Sequence, residues 1–267
     1  MRDFYIRRKP NGVPILSRNE IDNIGEKLAG DFCPDALKEP QALDVDVFVK
    51  EYAGLDLKDL YLTNNGIYLG LTVFYDNDKV IYYDPEKKQA DYISLKAGTV
   101  VIDSSLMVEK EKHRRRFTLM HEAAGHWIFH KYYYQSHKEL LPCRADAIMK
   151  QRNADCSQWT DGDWLEWQAD CISSATLMPR RTVEQVVKTS RRLFIDLSPE
   201  GKMRAVIEAV AETFDVSPEA AFYRIRSLGL IPKGESYEWK ENGIRNTRKT
   251  ILDFLPDPIF GDDGIWR

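Results

Sequence analysis

Two imidazoles and a carboxylate lie close together in His121-Glu122-Ala123-Ala124-Gly125-His126, inside a stretch that reads as helical from residue 115 to about 134. The chemistry open to such a set is metal-assisted hydrolysis. In the pattern H-E-x-x-H, two histidines four residues apart on one helix face bind zinc, and the glutamate after the first acts as general base. Here the histidines are five residues apart. At roughly 100° per residue, that separates them by about 140° around a regular helix.

Spacing alone leaves three arrangements open. The helix can widen by one residue at a π-bulge, a feature that concentrates at functional sites, so that His121 and His126 share one metal. An ordinary helix could instead seat a metal between His126 and His130, which do have four-residue spacing. In the third arrangement the segment binds no zinc. Wherever it is not a ligand, His130 reads as a partly buried histidine, hydrogen-bonded near the helix C-terminus.

A catalytic zinc site takes a third protein ligand and keeps a fourth position open. The candidate is Glu166 in GDWLEWQADCISSATLMP, with Asp170 four residues on, on the same helix face, where it can orient a ligating histidine. By itself Glu166 reads as an exposed helix carboxylate, as most glutamates are. Three other clusters carry weaker signals. Arg224 and Arg226 follow a turn at Phe214-Asp215-Val216-Ser217-Pro218, as in a helix-turn-helix, although a helical hairpin fits as well. His113-Arg114-Arg115-Arg116 could meet a phosphate or form a solvated helix start. Cys143 and Cys156 could join a second metal site or simply pack.

The elements that must position these groups follow from periodicity and turn chemistry. Residues 1–17 contain Pro10 and Pro14 and read as an arm. Ser17 and Glu20 form a capping box that opens a helix over 18–29, and a short helix follows at 45–52. The period then changes to short runs at 57–62, 67–75, 80–83, 90–94 and 98–103, separated by Asn- and Asp-rich turns. These predict a mostly antiparallel sheet with the last run, GTVVID, at its edge beside the cleft, where an extended peptide could add as a strand. Beyond the 115–134 helix come a long loop to about residue 162, with a short helix near 145–151, and helices over 163–178, 179–190, 199–214 and 218–228. The tail from 233 should drape or fray.

Composition bounds the function. Of 267 residues, 43% are hydrophobic and 30% charged, as in an ordinary globular protein. The net charge of −4 gives no electrostatic support to a nucleic-acid partner. No run approaches the ~20 apolar residues of a membrane span, and the first residues do not read as a signal peptide. The four cysteines form no C-x-x-C pair, so reduced thiols are expected.

RRRFTLMHE, GHWIFH, EWQAD and TLMPR occur in this order, and together they resemble the ImmA/IrrE family of zinc metallopeptidases. A weaker match extends over about residues 15–232, including LDVDVFVKEYAGLDL, GIYLGLTVF and AETFDVSPEAAFYRIRSLGLI. The difference lies in Ala123-Ala124, where the family has a single residue. The resemblance implies zinc held by His121, His126 and Glu166, with Glu122 as general base. It also implies a cytoplasmic regulatory protease that cuts a specific protein, often a repressor. The expected fold is α+β and zincin-like: an arm (1–17), a metallopeptidase domain (18–190), a C-terminal helical pair packed on it (191–232) and a tail (233–267). The rival functions are an inactive peptide-binding module of the same fold and a DNA-binding regulator using the C-terminal helices.

Overall fold

The computed structural model describes residues 6–137, 144–146, 159–240 and 243–246. The fold is α+β. Helix α1 (Arg18–Phe32) starts at the expected capping box, in which the Ser17 amide donates to Glu20 Oε2 at 2.7 Å and the Glu20 amide to Ser17 Oγ at 3.3 Å. Asp44 caps α2 (Val45–Val47) by accepting from the Val47 amide. Strands β1 (Asp56–Leu60), β2 (Tyr68–Val73), β3 (Asn77–Asp84), β4 (Gln89–Leu95) and β5 (Thr99–Asp103) follow.

All five expected strands form, but not as one sheet. The larger sheet has the order β1-β5-β2-β6, where β6 is Arg144–Asp146. β1 runs parallel to β5, while β2 is antiparallel to both β5 and β6. β3 and β4 form a separate two-stranded hairpin. Asp76 closes its base, accepting from Lys96 Nζ and the Ala97 amide, each at 3.0 Å. Local pairing across the turn satisfies these two strands, so they need no place in the main sheet.

The GTVVID run is not an edge. As β5 it lies between β1 and β2, and all five of its residues are buried. A continuous apolar run covered on both faces marks an interior strand, which its valines and isoleucine already spelled.

Helix α3 (Lys112–Met120), a π-helical run (His121–His130) and α4 (Lys131–Ser136) form one continuous rod. Bidentate pairing of Arg115 with Asp46, at 2.7 and 2.8 Å, ties the rod to α2. Thr160 and Asp163 form a second capping box at the start of α5 (Asp161–Leu177). Then come α6 (Arg180–Leu193), α7 (Pro199–Phe214) and α8 (Pro218–Ser227), the last two capped by Ser198 and Ser217.

Two compact units emerge, with cuts inside α1 and α5. Among the described residues, one unit comprises 6–21, 44–137, 144–146 and 159–173. Its core joins Val13, Phe74, Tyr133, Tyr134 and Leu165, and a second cluster lies under the sheet around Leu71, Val73 and Val101. The other unit comprises 22–43, 174–240 and 243–246, so α1 groups mainly with the C-terminal helices rather than with the sheet. Gly25 explains this: a β-carbon there would stand 2.5 Å from Ala175, so α1 lies directly against the end of α5.

Two segments differ from expectation. The arm folds into a tight turn with an Arg8–Pro14 bridge, and Val13 is fully buried. Part of the tail forms a hairpin, β7 (Tyr237–Lys240) with β8 (Gly243–Asn246), whose Ile244 carbonyl accepts from Arg204. The short helix expected near 145–151 lies outside the described residues except at 145–146, which belong to β6. Among the described residues, no helix is long and apolar enough to cross a membrane.

Candidate metal centre

The His121–His130 run is π-helical over ten residues. In i→i+5 bonding each turn closes one residue later, so residues five apart stack much as residues four apart do in an α-helix. The widening required by the inserted alanine is therefore present. It is longer than a one-residue bulge: ordinary helix resumes only at Lys131. Ring contacts from His121 through His126 to His130 span the whole run, so the wider geometry is kept until the last ring is seated.

Three side chains converge. His121 Nε2 and His126 Nε2 are 2.9 Å apart, and Glu166 from α5 brings Oε2 to 3.2 Å from the first and Oε1 to 3.5 Å from the second. Zinc bonds of about 2.0–2.1 Å in tetrahedral array imply ligand separations of roughly 3.3 Å, so the spacing fits the ion. Each ring is oriented from behind. Asp170 meets His121 Nδ1 at 2.9 Å, and His130 Nδ1 meets His126 Nδ1 at 3.0 Å. The two histidines are almost fully buried, whereas about a quarter of the Glu166 side chain is exposed, so the group opens on the α5 side. His121, His126 and Glu166 thus form a group that could hold a metal ion. His130 points its other nitrogen away, to Gln168 at 3.2 Å.

Glu122, next to His121 in the same run, is completely buried. Its Oε2 accepts from Thr72 of β2 at 2.6 Å, while Oε1 has no hydrogen-bond partner among the described residues. Gly70 makes room: a β-carbon there would come within 2.6 Å of Oε1. Gly125 serves the same purpose on the other side, because its β-carbon would fall 2.5 Å from that of Ala169 in α5.

The sequence matches the profile of the IrrE N-terminal-like domain, a peptidase family, over residues 68–226, more than half of the chain. The chain belongs to this ImmA/IrrE family. A search of curated proteins returned no match. The family's activity is of metallopeptidase type, and the matched region of this ImmA/IrrE chain begins at β2, the strand that holds Glu122.

Charges in the ImmA/IrrE site are strongly coupled. Burial works against a charged His121, but hydrogen bonds and charge from Asp170 and Glu166 outweigh it and hold its pKa well above the ordinary value. Burial pushes the Glu166 carboxyl up, yet His126 and His121 pull it well below the usual range. For His130, burial and the neighbouring His126 both lower the pKa well below normal, so this ring is neutral. A raised histidine pKa stabilises the metal-free fold below the unfolded value of about 6.5, and that contribution fades as pH rises through the folded value. A metal ion must displace this proton. Metal uptake is therefore expected to release about one proton, and its affinity should fall as pH is lowered. Calorimetric titration in buffers of different ionisation enthalpy measures the release, and a pH-independent affinity with no proton release would contradict it.

Gly125→Ala is expected to separate the π-helix from α5, at a cost of about 1–3 kcal/mol for forcing a methyl into packed backbone. It should also weaken metal binding by moving Glu166 away from the histidines. Denaturant unfolding with and without metal reads both effects; equal loss in the two conditions would confine the damage to packing.

The other candidates fare differently. Arg224 is buried, donating to Asp22 at 2.6 Å and to the Met178 carbonyl at 3.0 Å, so it presents no cation to DNA. Arg115 is committed to Asp46. Cys143 and Cys156 lie outside the described residues. Thr72, Gly70 and Gln168 were not legible as site residues, since a threonine or glycine in a strand and a glutamine in a helix carry no spacing signal.

Proposed function

We propose that this chain is a zinc-dependent endopeptidase that hydrolyses peptide bonds in a specific cytoplasmic protein, a transcriptional repressor being the substrate class that the family resemblance points to. The observation carrying this reading is the convergence of His121 Nε2, His126 Nε2 and Glu166, together with a fully buried Glu122 whose Oε1 has no hydrogen-bond partner among the described residues. His121, His126 and Glu166 would hold the ion, and Asp170 would orient His121. When bound, zinc supplies Lewis acidity that brings the pKa of a water molecule to near 7 and polarises a carbonyl.

Glu122 Oε1 would accept the proton of the attacking water and return it to the departing amine. Thr72 holds the carboxylate by its other oxygen and so fixes the direction of that transfer. Burial raises the Glu122 pKa, opposed by His126 and His121, which brings its basicity closer to working pH. The α+β arrangement of β2 along the histidine helix, with a glutamate from a second helix, is the zincin-like arrangement in this reading.

The parent protein is expected to carry about one zinc per chain. It should cleave an unfolded probe such as casein, or a candidate repressor, and lose that cleavage on chelation. A chain that takes up no divalent metal would overturn the reading. Zinc uptake without cleavage of any probe would support the inactive binding module instead.

A further inference from the structure

Behind the ligand set, four polar groups form a line that ends on a backbone carbonyl. His126 Nδ1 lies 3.0 Å from His130 Nδ1, and His130 Nε2 lies 3.2 Å from Gln168 Oε1. Gln168 Nε2 donates to the Pro14 carbonyl at 2.8 Å, across 154 positions of sequence. His126, His130 and Gln168 are each completely buried. A buried polar line of this kind must be satisfied at every link, because a buried group left unpaired keeps its full desolvation cost.

The Pro14 carbonyl determines every proton along the line. A carbonyl only accepts, so the glutamine amide must face it with its NH2 group, which turns Oε1 toward His130. Oε1 also only accepts, so His130 must carry its proton on Nε2. Its Nδ1 is then the acceptor, and His126 must donate from its own Nδ1. The lone pair of His126 is thereby left on Nε2, the atom that faces His121 and Glu166.

We propose that His130 and Gln168, anchored on Pro14, are positioning residues that lock His126 in the tautomer able to ligate a metal through Nε2. Resting on the zinc reading above, the relay gives His130 a role other than ligand. It also gives the N-terminal turn a function, since that turn supplies the fixed end of the line. His121 obtains the same orientation from a carboxylate, Asp170; His126 obtains it from a neutral relay that adds no charge to the buried side of the site.

The test combines zinc affinity by chelator competition with nitrogen-15 NMR of the histidine rings in the zinc-loaded parent. The NMR should show His130 protonated on Nε2 and His126 on Nδ1; an Nδ1-protonated His130 would overturn the relay. His130→Leu and, as an independent variant that keeps the ring, Gln168→Met should each weaken zinc binding by about 10–100-fold, the usual effect of losing an orienting partner. His130→Gln, whose side-chain carbonyl can accept from His126, should recover most of that loss. Parental affinity in both apolar variants, or equal loss in His130→Leu and His130→Gln, would sink the relay while leaving the zinc site standing. A parent that binds no zinc would overturn the zinc reading and the relay with it.

Discussion

Glu122→Gln is expected to keep its zinc and its fold and to lose peptide hydrolysis by about 10²–10⁴-fold, the usual contribution of a general base. Glutamine has nearly the shape of glutamate and can still accept from Thr72, so the packing around Gly70 should not change. What it cannot do is take a proton from water at the position of Oε1. The effect should fall on kcat, because Glu122 makes no hydrogen bond to the ligand set that would alter metal retention. Metal analysis and turnover on the same preparation make the test. Turnover equal to that of the parent, on any substrate the parent cleaves, would remove Glu122 from the role. Because burial raises the Glu122 pKa, the acid limb of the parent's activity should also stand at higher pH than for an ordinary glutamate, with activity lost as the group protonates.

Removing a ligand should have an equally large effect on the metal itself. His121→Ala, His126→Ala and Glu166→Ala each leave two protein donors where a catalytic site uses three, and metal content after dialysis is expected to drop from about one per chain to near none. Asp170→Asn is the graded comparison. It keeps a group near His121 Nδ1 but removes the charge, and a loss of about 10–100-fold in affinity, with stoichiometry intact, is expected. Full occupancy in both His121→Ala and Glu166→Ala would show the ligand set to be wrong. Occupancy that survives in His121→Ala but not in His130→Ala would return the site to the His126/His130 pair.

Much of the scaffold was legible because its signals are local. The capping box at Ser17 and Glu20 and the Ser-Pro starts of α7 and α8 all lie within four residues of the feature they specify. The strand runs were legible for the same reason, as short apolar segments between Asn and Asp turns. Their pairing was not. Whether β3 joins the main sheet or closes on β4 depends on contacts such as Lys96 with Asp76, 20 positions apart. The interior place of β5 was in principle readable, since an unbroken apolar run needs cover on both faces.

At the site, residue types and order determined the chemistry on offer: two histidines, a glutamate between them and a second glutamate downstream, in a helical context. The spacing of five also stated the problem, because a regular helix turns those histidines apart. Only the tertiary structure decided how it is resolved. A π-helical run has weak local preference, and it persists here because buried contacts on both sides favour it: β2 holds Glu122 through Thr72, and Ala169 presses on Gly125. The same holds for His130. Its four-residue spacing from His126 is that of a ligand pair, yet its second nitrogen meets Gln168, itself held by the Pro14 carbonyl, and it is not in the group that could hold a metal. Sequence spacing fixes which side chains can meet along one helix, but it carries no record of the groups that distant strands and turns bring against that helix.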